Sequence, residues 1–160
     1  MRKILFVCTG NTFRSMAAEF LLKKYLHKNK IYDYEIQSAG INCRPFGLPY
    51  PETLERLKFY GCDARNHTKQ VINKNLIGRF DLIICMTKHQ LEYLKRINPE
   101  SNSILYNEIA FDKKEDILDE AEYGEINGFD FDLKDYIYSI VDYIHNSIPL
   151  VAKKLDKFIK

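Results

Sequence analysis

The chain of 160 residues has few residues that break or staple structure: seven glycines, five prolines and four cysteines. That scarcity excludes collagen-like and low-complexity chains, and 46% hydrophobic with 29% charged residues excludes intrinsic disorder. Net charge is lacking too. The 24 basic and 22 acidic side chains leave +2, which supplies no general field toward nucleic acid or an anionic membrane, so neither partner is expected and any anion site must be local. Apolar runs such as Ile4 to Val7 and Leu82 to Cys85 fall far short of the roughly 20 residues needed to cross a bilayer. Met1-Arg2-Lys3 before an apolar run imitates a secretory signal, but the run ends early in Thr9-Gly10-Asn11 with no small-residue cleavage pattern, so a cytoplasmic location is expected. Cys8, Cys43, Cys62 and Cys85 form no Cys-x-x-Cys pair, and His27, His67, His89 and His145 show no ligand spacing with them. Free thiols, no metal and no cofactor are the expectation.

What is present suits one compact domain spanning residues 1–160. Lys3 to Val7 is a β-branched and aromatic run without alternation, as in a parallel strand covered on both faces. Ser15 to Lys28 then places Ala17, Ala18, Leu21, Leu22, Tyr25 and Leu26 on one helical side. Tyr34 to Ser38 reads as a second strand, followed by an irregular, exposed loop from Cys43 to Pro51 and a short helix from Glu52 that stops at Gly61. Asp81 to Met86 repeats the first strand's pattern, Thr87 caps a helix ending before Pro99, and Ser103 to Tyr106 is a last short strand. Leu133 to Ile148 carries an apolar helical stripe, with Pro149 expected to kink or restart it. Residues 112–135 hold ten acidic residues against three lysines and are expected to form a long, solvated, mobile loop. The alternation implies an α/β fold: a small, doubly wound, four-stranded parallel sheet with helices on both faces and ligands beyond the strands' carboxyl ends.

At that edge the first strand runs into Cys8-Thr9-Gly10-Asn11-Thr12-Phe13-Arg14-Ser15, and a helix begins at once. Such a loop gathers free backbone N–H groups around one point, and the helix dipole adds positive potential, so Thr9 to Phe13 would cradle a phosphate-sized anion. Those donors, the dipole and a nearby guanidinium favour the thiolate form of Cys8, the nucleophile. Arg14 can clasp two phosphoryl oxygens in a bidentate geometry that lysine cannot copy. Gly10 allows a tight turn, Asn11 tolerates a left-handed backbone, and the Ser15 hydroxyl can hydrogen-bond the sulfur. The residues six places after the other cysteines are Pro49, Thr68 and Leu91, so this pattern belongs to Cys8 alone.

This octapeptide, followed by Ala17-Ala18-Glu19, resembles the low-molecular-weight protein tyrosine phosphatase family, and its opening Cys8 to Thr12 resembles the bacterial protein-arginine phosphatase branch. Further matches are Ser38-Ala39-Gly40, Gly47-Leu48-Pro49, Gly61 with His67 downstream, and Asp81 to Thr87 before a helix, so the resemblance covers about residues 1–110. It implies a metal-free, monomeric phosphomonoesterase that works through a cysteinyl-phosphate intermediate. It would act on phosphotyrosine or phosphoarginine in protein partners and release inorganic phosphate. In the arginine branch the threonine matching Thr12 is taken to favour phosphoarginine.

Two departures stand out. Phe13 replaces a second cysteine found in many members and either walls the pocket or packs beneath it. The family's Asp-Pro pair, which supplies the general acid shortly before the last helix, is absent. In the comparable stretch Asn127 to Leu133, Asp130 between Phe129 and Phe131 is the first candidate and Asp132 the second; in another register Asn127 takes the acid's place. Competing readings are a phosphate-binding module without turnover and a thiol-linked arsenate reductase, the latter weakened because no cysteine follows Cys85.

Overall fold

The computed structural model describes residues 1–44 and 47–160; the expected irregular loop includes Pro45 and Phe46, which lie outside the described residues. Along the chain run β1 (Arg2–Cys8), α1 (Arg14–Lys28), β2 (Tyr34–Gly40), α2 (Pro51–Phe59), α3 (Lys74–Ile77) and β3 (Leu82–Cys85). They are followed by α4 (Lys88–Ile97), β4 (Ser103–Leu105), α5 (Tyr106–Phe111), α6 (Glu120–Asn127) and α7 (Leu133–Phe158). The four strands form one parallel sheet in the order β2-β1-β3-β4, with Cys8 in register with Gly40 and Val7 with Cys85.

Alternate residues of β1 feed two cores. Ile4, Phe6 and Cys8 face α1, α2, α5 and α7, where Met16, Leu22, Leu57, Tyr106, Ile144 and Val151 pack, while Leu5 and Val7 face Leu76, Ile77 and Leu94 on the α3 and α4 side. Burial on both faces is what the unbroken apolar run of β1 requires. Thr87 begins α4 in a full capping box with Gln90.

Two expectations are corrected. The acidic stretch 112–135 is not one long loop, because it contains α6, opened by Asp119, whose side chain accepts from Glu122 N, with Glu120 and Glu122 in the first turn. Acidic residues there complement the positive end of the helix dipole, so the composition that suggested a solvated loop builds a helix start. Pro149 does not restart the last helix: α7 runs through it to Phe158, held to the core by Ile148, Val151 and Leu155 on either side. Tertiary burial there outweighs the one backbone bond proline cannot donate. No helix among the described residues is long and apolar enough to cross a membrane.

Candidate active site

The carboxyl end of β1 delivers Cys8 to a cleft of about 380 Å³ lined also by Thr9, Gly10, Thr12, Phe13 and Arg14. The left-handed turn of the loop falls on Asn11 (φ 54°), whose short amide side chain tolerates it. Fully buried, Asn11 ties three segments together. Its Nδ2 donates to Ser15 Oγ (2.9 Å) and Ser38 Oγ (2.8 Å), and its Oδ1 accepts from Gln70 N (3.1 Å). His67 Nε2 donates to Asn11 O at 2.8 Å, and Gln90 Nε2 donates to Thr9 Oγ1 at 3.3 Å. The loop is thus fixed from β2, from the segment before α3, and from α4. At Gly40 a side chain is impossible: a Cβ would stand 2.5 Å from Thr9 O and 3.0 Å from Asn11 N.

Cys8 Sγ lies 2.9 Å from Ser15 Oγ. Because Ser15 Oγ already accepts from Asn11, its own proton is free to point at the sulfur. No side chain caps the start of α1 and no acidic residue occupies its first turn, which leaves the amide donors there available to an anion.

Arg14 is 1% exposed. Its Nη1 donates to Ile117 O at 2.7 Å, and its Nη2 lies 3.2 Å from both Asp119 Oδ2 and Glu122 Oε1. Its Nε is buried without a partner among the described residues. A buried donor without an acceptor is costly, and here it belongs to the one guanidinium of the loop that carries Cys8. Arg44 and Lys69 line the opposite side of the cleft, while Phe13, packed edge-on against Tyr50, forms an aromatic part of its wall. Phe13 thus both packs, at 3% exposure, and walls the cleft.

Asp119 and Glu120 also line the cleft, whereas Asp130 does not. Asp130 is exposed in the link between α6 and α7. Its flanking aromatics are spent elsewhere, with Phe129 against Gly124 and Phe131 against Tyr123 and Tyr136. Asp132 caps α7 by accepting from Asp135 N, and Asn127 Nδ2 bonds back to Tyr123 O. The sequence signal overlooked at Asp119 is the helix-start pattern Asp-x-x-Glu, Asp119 to Glu122.

The family model described as low molecular weight phosphotyrosine protein phosphatase matches residues 3–156. The chain belongs to the low-molecular-weight phosphotyrosine protein phosphatase family. Membership therefore extends well past the motifs of the first 110 residues and takes in α6 and α7. The Schizosaccharomyces pombe low molecular weight phosphotyrosine protein phosphatase is 29% identical over 94% of this chain and 97% of its own. Arsenate reductase 2 of Staphylococcus haemolyticus is 35% identical, but the match spans 53% of this chain and 60% of that one. Among solved structures, YwlE arginine phosphatase from Geobacillus stearothermophilus shares the fold with a TM-score of 0.79 at 23% identity, over 98% of this chain and 94% of its own. Asp119 and Glu120 thus line the same cleft as Cys8 and Arg14, whereas the stretch Asn127 to Leu133 does not.

Proposed function

We propose that the chain is a cysteine-dependent protein phosphatase that hydrolyses phosphotyrosine or phosphoarginine through a cysteinyl-phosphate. The observation that carries this reading is the meeting, in one cleft, of Cys8 Sγ beside the Ser15 hydroxyl with a buried Arg14 whose Nε has no acceptor among the described residues. In the proposed cycle the Cys8 thiolate attacks phosphorus in line while Asp119 gives its proton to the departing phenol or guanidine. Asp119 then takes a proton from the water that attacks the thiophosphate, so the P–S bond breaks, the thiolate returns and inorganic phosphate leaves. Spreading negative charge is met by the N–H groups of Thr9 to Phe13 and by Arg14.

Phe13 and Tyr50 suit a phenyl ring; Thr12 and the Asp119 and Glu120 carboxylates suit a guanidinium. An arsenate reductase would pass electrons to further thiols. Cys85 is fully buried with its thiol pushed up by that burial, and no cysteine follows it. A binding module without turnover is the alternative, and the Asp119 carboxylate in the cleft supports the enzyme reading over it.

Replacing Cys8 with serine should abolish hydrolysis of p-nitrophenyl phosphate while leaving binding of inorganic phosphate, measured by calorimetry. Hydrolysis at the wild-type rate would end the proposal.

A further inference from the structure

We propose that Glu122 is a positioning residue of this reaction: it keeps Arg14 paired while Asp119 turns from the arginine to the leaving group. The inference rests on the phosphatase reading above and adds to it a residue outside the cleft lining.

Asp119 is fully committed in this arrangement. Its Oδ2 pairs with Arg14 Nη2 at 3.2 Å, and its Oδ1 accepts from Glu122 N at 2.7 Å. A carboxylate held against a guanidinium is a poor proton donor, because the cation favours its ionised form. To act as an acid Asp119 must be protonated with an oxygen turned to the departing atom. With substrate bound the phosphoryl group can meet Nε, but were Asp119 the only carboxylate on Nη2 its turning would leave that buried nitrogen without an acceptor, which is unfavourable. Glu122 removes that obstacle, since its Oε1 lies 3.2 Å from the same Nη2. Arg14 therefore stays neutralised whichever carboxylate holds the proton.

The two carboxylates around one cation also favour a shared proton. Burial pushes the Glu122 carboxyl up to about 7; Arg14 opposes the shift and Asp119 adds to it. The other titratable groups around Glu122 are Tyr123 on its own helix and Tyr136 on α7, whose hydroxyl donates to Leu118 O at 2.7 Å and whose burial keeps it a phenol. Asp119, Glu122 and Arg14 thus form a compact set of two carboxylates around one cation, in which a proton held on Glu122 lies beside Asp119.

The test compares Glu122→Gln and Glu122→Asp with wild type on p-nitrophenyl phosphate, whose leaving group needs little protonation, and on phenyl phosphate, whose leaving group needs much. Glu122→Gln should lose at least about tenfold more kcat on phenyl phosphate than on p-nitrophenyl phosphate. The alkaline limb of its kcat profile should move to lower pH, because Arg14 then holds Asp119 ionised. Glu122→Asp should recover part of both effects. In an Asp119→Asn background, Glu122→Gln should add no further dependence on the leaving group. Equal losses on the two substrates with an unmoved alkaline limb would overturn the proposal and reduce Glu122 to a structural contact. Should wild type hydrolyse neither ester, the phosphatase reading itself fails and this inference falls with it.

Discussion

Replacing Asp119 with asparagine removes the proposed proton donor and one of the two carboxylates beside Arg14. Asparagine caps a helix as well as aspartate does, so the bond from Glu122 N is retained, and Glu122 remains to balance Arg14. Because Arg14 is buried but keeps Glu122 as a counter-ion, stability should fall by about 1–3 kcal/mol. Catalysis should suffer far more: loss of a general acid costs about 10²- to 10⁴-fold in kcat, equivalent to about 3–5 kcal/mol of transition-state stabilisation. The loss should be steep for phenyl phosphate and shallow for p-nitrophenyl phosphate, and the alkaline limb of the kcat profile should flatten. The matched control is Asp130→Ala, which removes an exposed carboxylate outside the cleft and should leave kcat within about twofold. Steady-state kinetics from pH 4.5 to 8.5 on both esters would read the difference. A large loss in Asp130→Ala with near-normal Asp119→Asn would refute the assignment and require the α6–α7 link to reach the cleft.

Thr12→Ile should lower kcat/KM for phosphoarginine relative to p-nitrophenyl phosphate by about 10-fold or more, because a hydroxyl that can accept from a guanidinium is replaced by an apolar branch; parallel assays with an unchanged ratio would remove the arginine preference. Asn11→Ala deletes two donated bonds and one accepted bond and puts a Cβ-bearing residue without a capping side chain at φ 54°. It should destabilise by about 3–4 kcal/mol in urea unfolding, of which Asn11→Gly should recover about 1 kcal/mol, the part due to the backbone. The raised Glu122 carboxyl has a consequence for stability as well. Between its ordinary value near 4.5 and its folded value of about 7 the folded chain holds a proton that the unfolded chain has released. Its contribution is therefore full below that window and lost as pH rises through it. Urea midpoints at pH 5 and pH 7.5 should differ less in Glu122→Gln than in wild type.

The part of the site that could be read in the sequence is the part built from neighbours in the chain. Cys8, the loop to Phe13, Arg14 and Ser15 lie within eight consecutive residues, and a strand followed directly by a helix allows them only one arrangement, an anion cradle. The sheet was legible for the same local reason, since an apolar run such as Ile83-Ile84 in β3 has to be covered on both faces. The proposed acid was not, because what distinguishes Asp119 from nine other acidic residues in 112–135 is a contact with Arg14 across 105 positions of sequence. Composition actively misled there. Phe129 and Phe131, which flank the candidate Asp130 in the sequence, pack against Gly124, Tyr123 and Tyr136 instead of lining the cleft.

The acidic segment folds for a reason outside itself. With little apolar stripe, α6 is a weak helix alone, and its first turn sits against the buried guanidinium that the catalytic loop presents. Arg14 and the Asp119 segment therefore stabilise one another, and a helix whose sequence carries only a start signal is held in place by the charge on Arg14. Substituting Arg14 should accordingly do more than weaken phosphate binding. Without its cation, Asp119 and Glu122 are two partly buried carboxylates repelling each other, and α6 should lose protection from amide hydrogen exchange while β1 and α1 keep theirs.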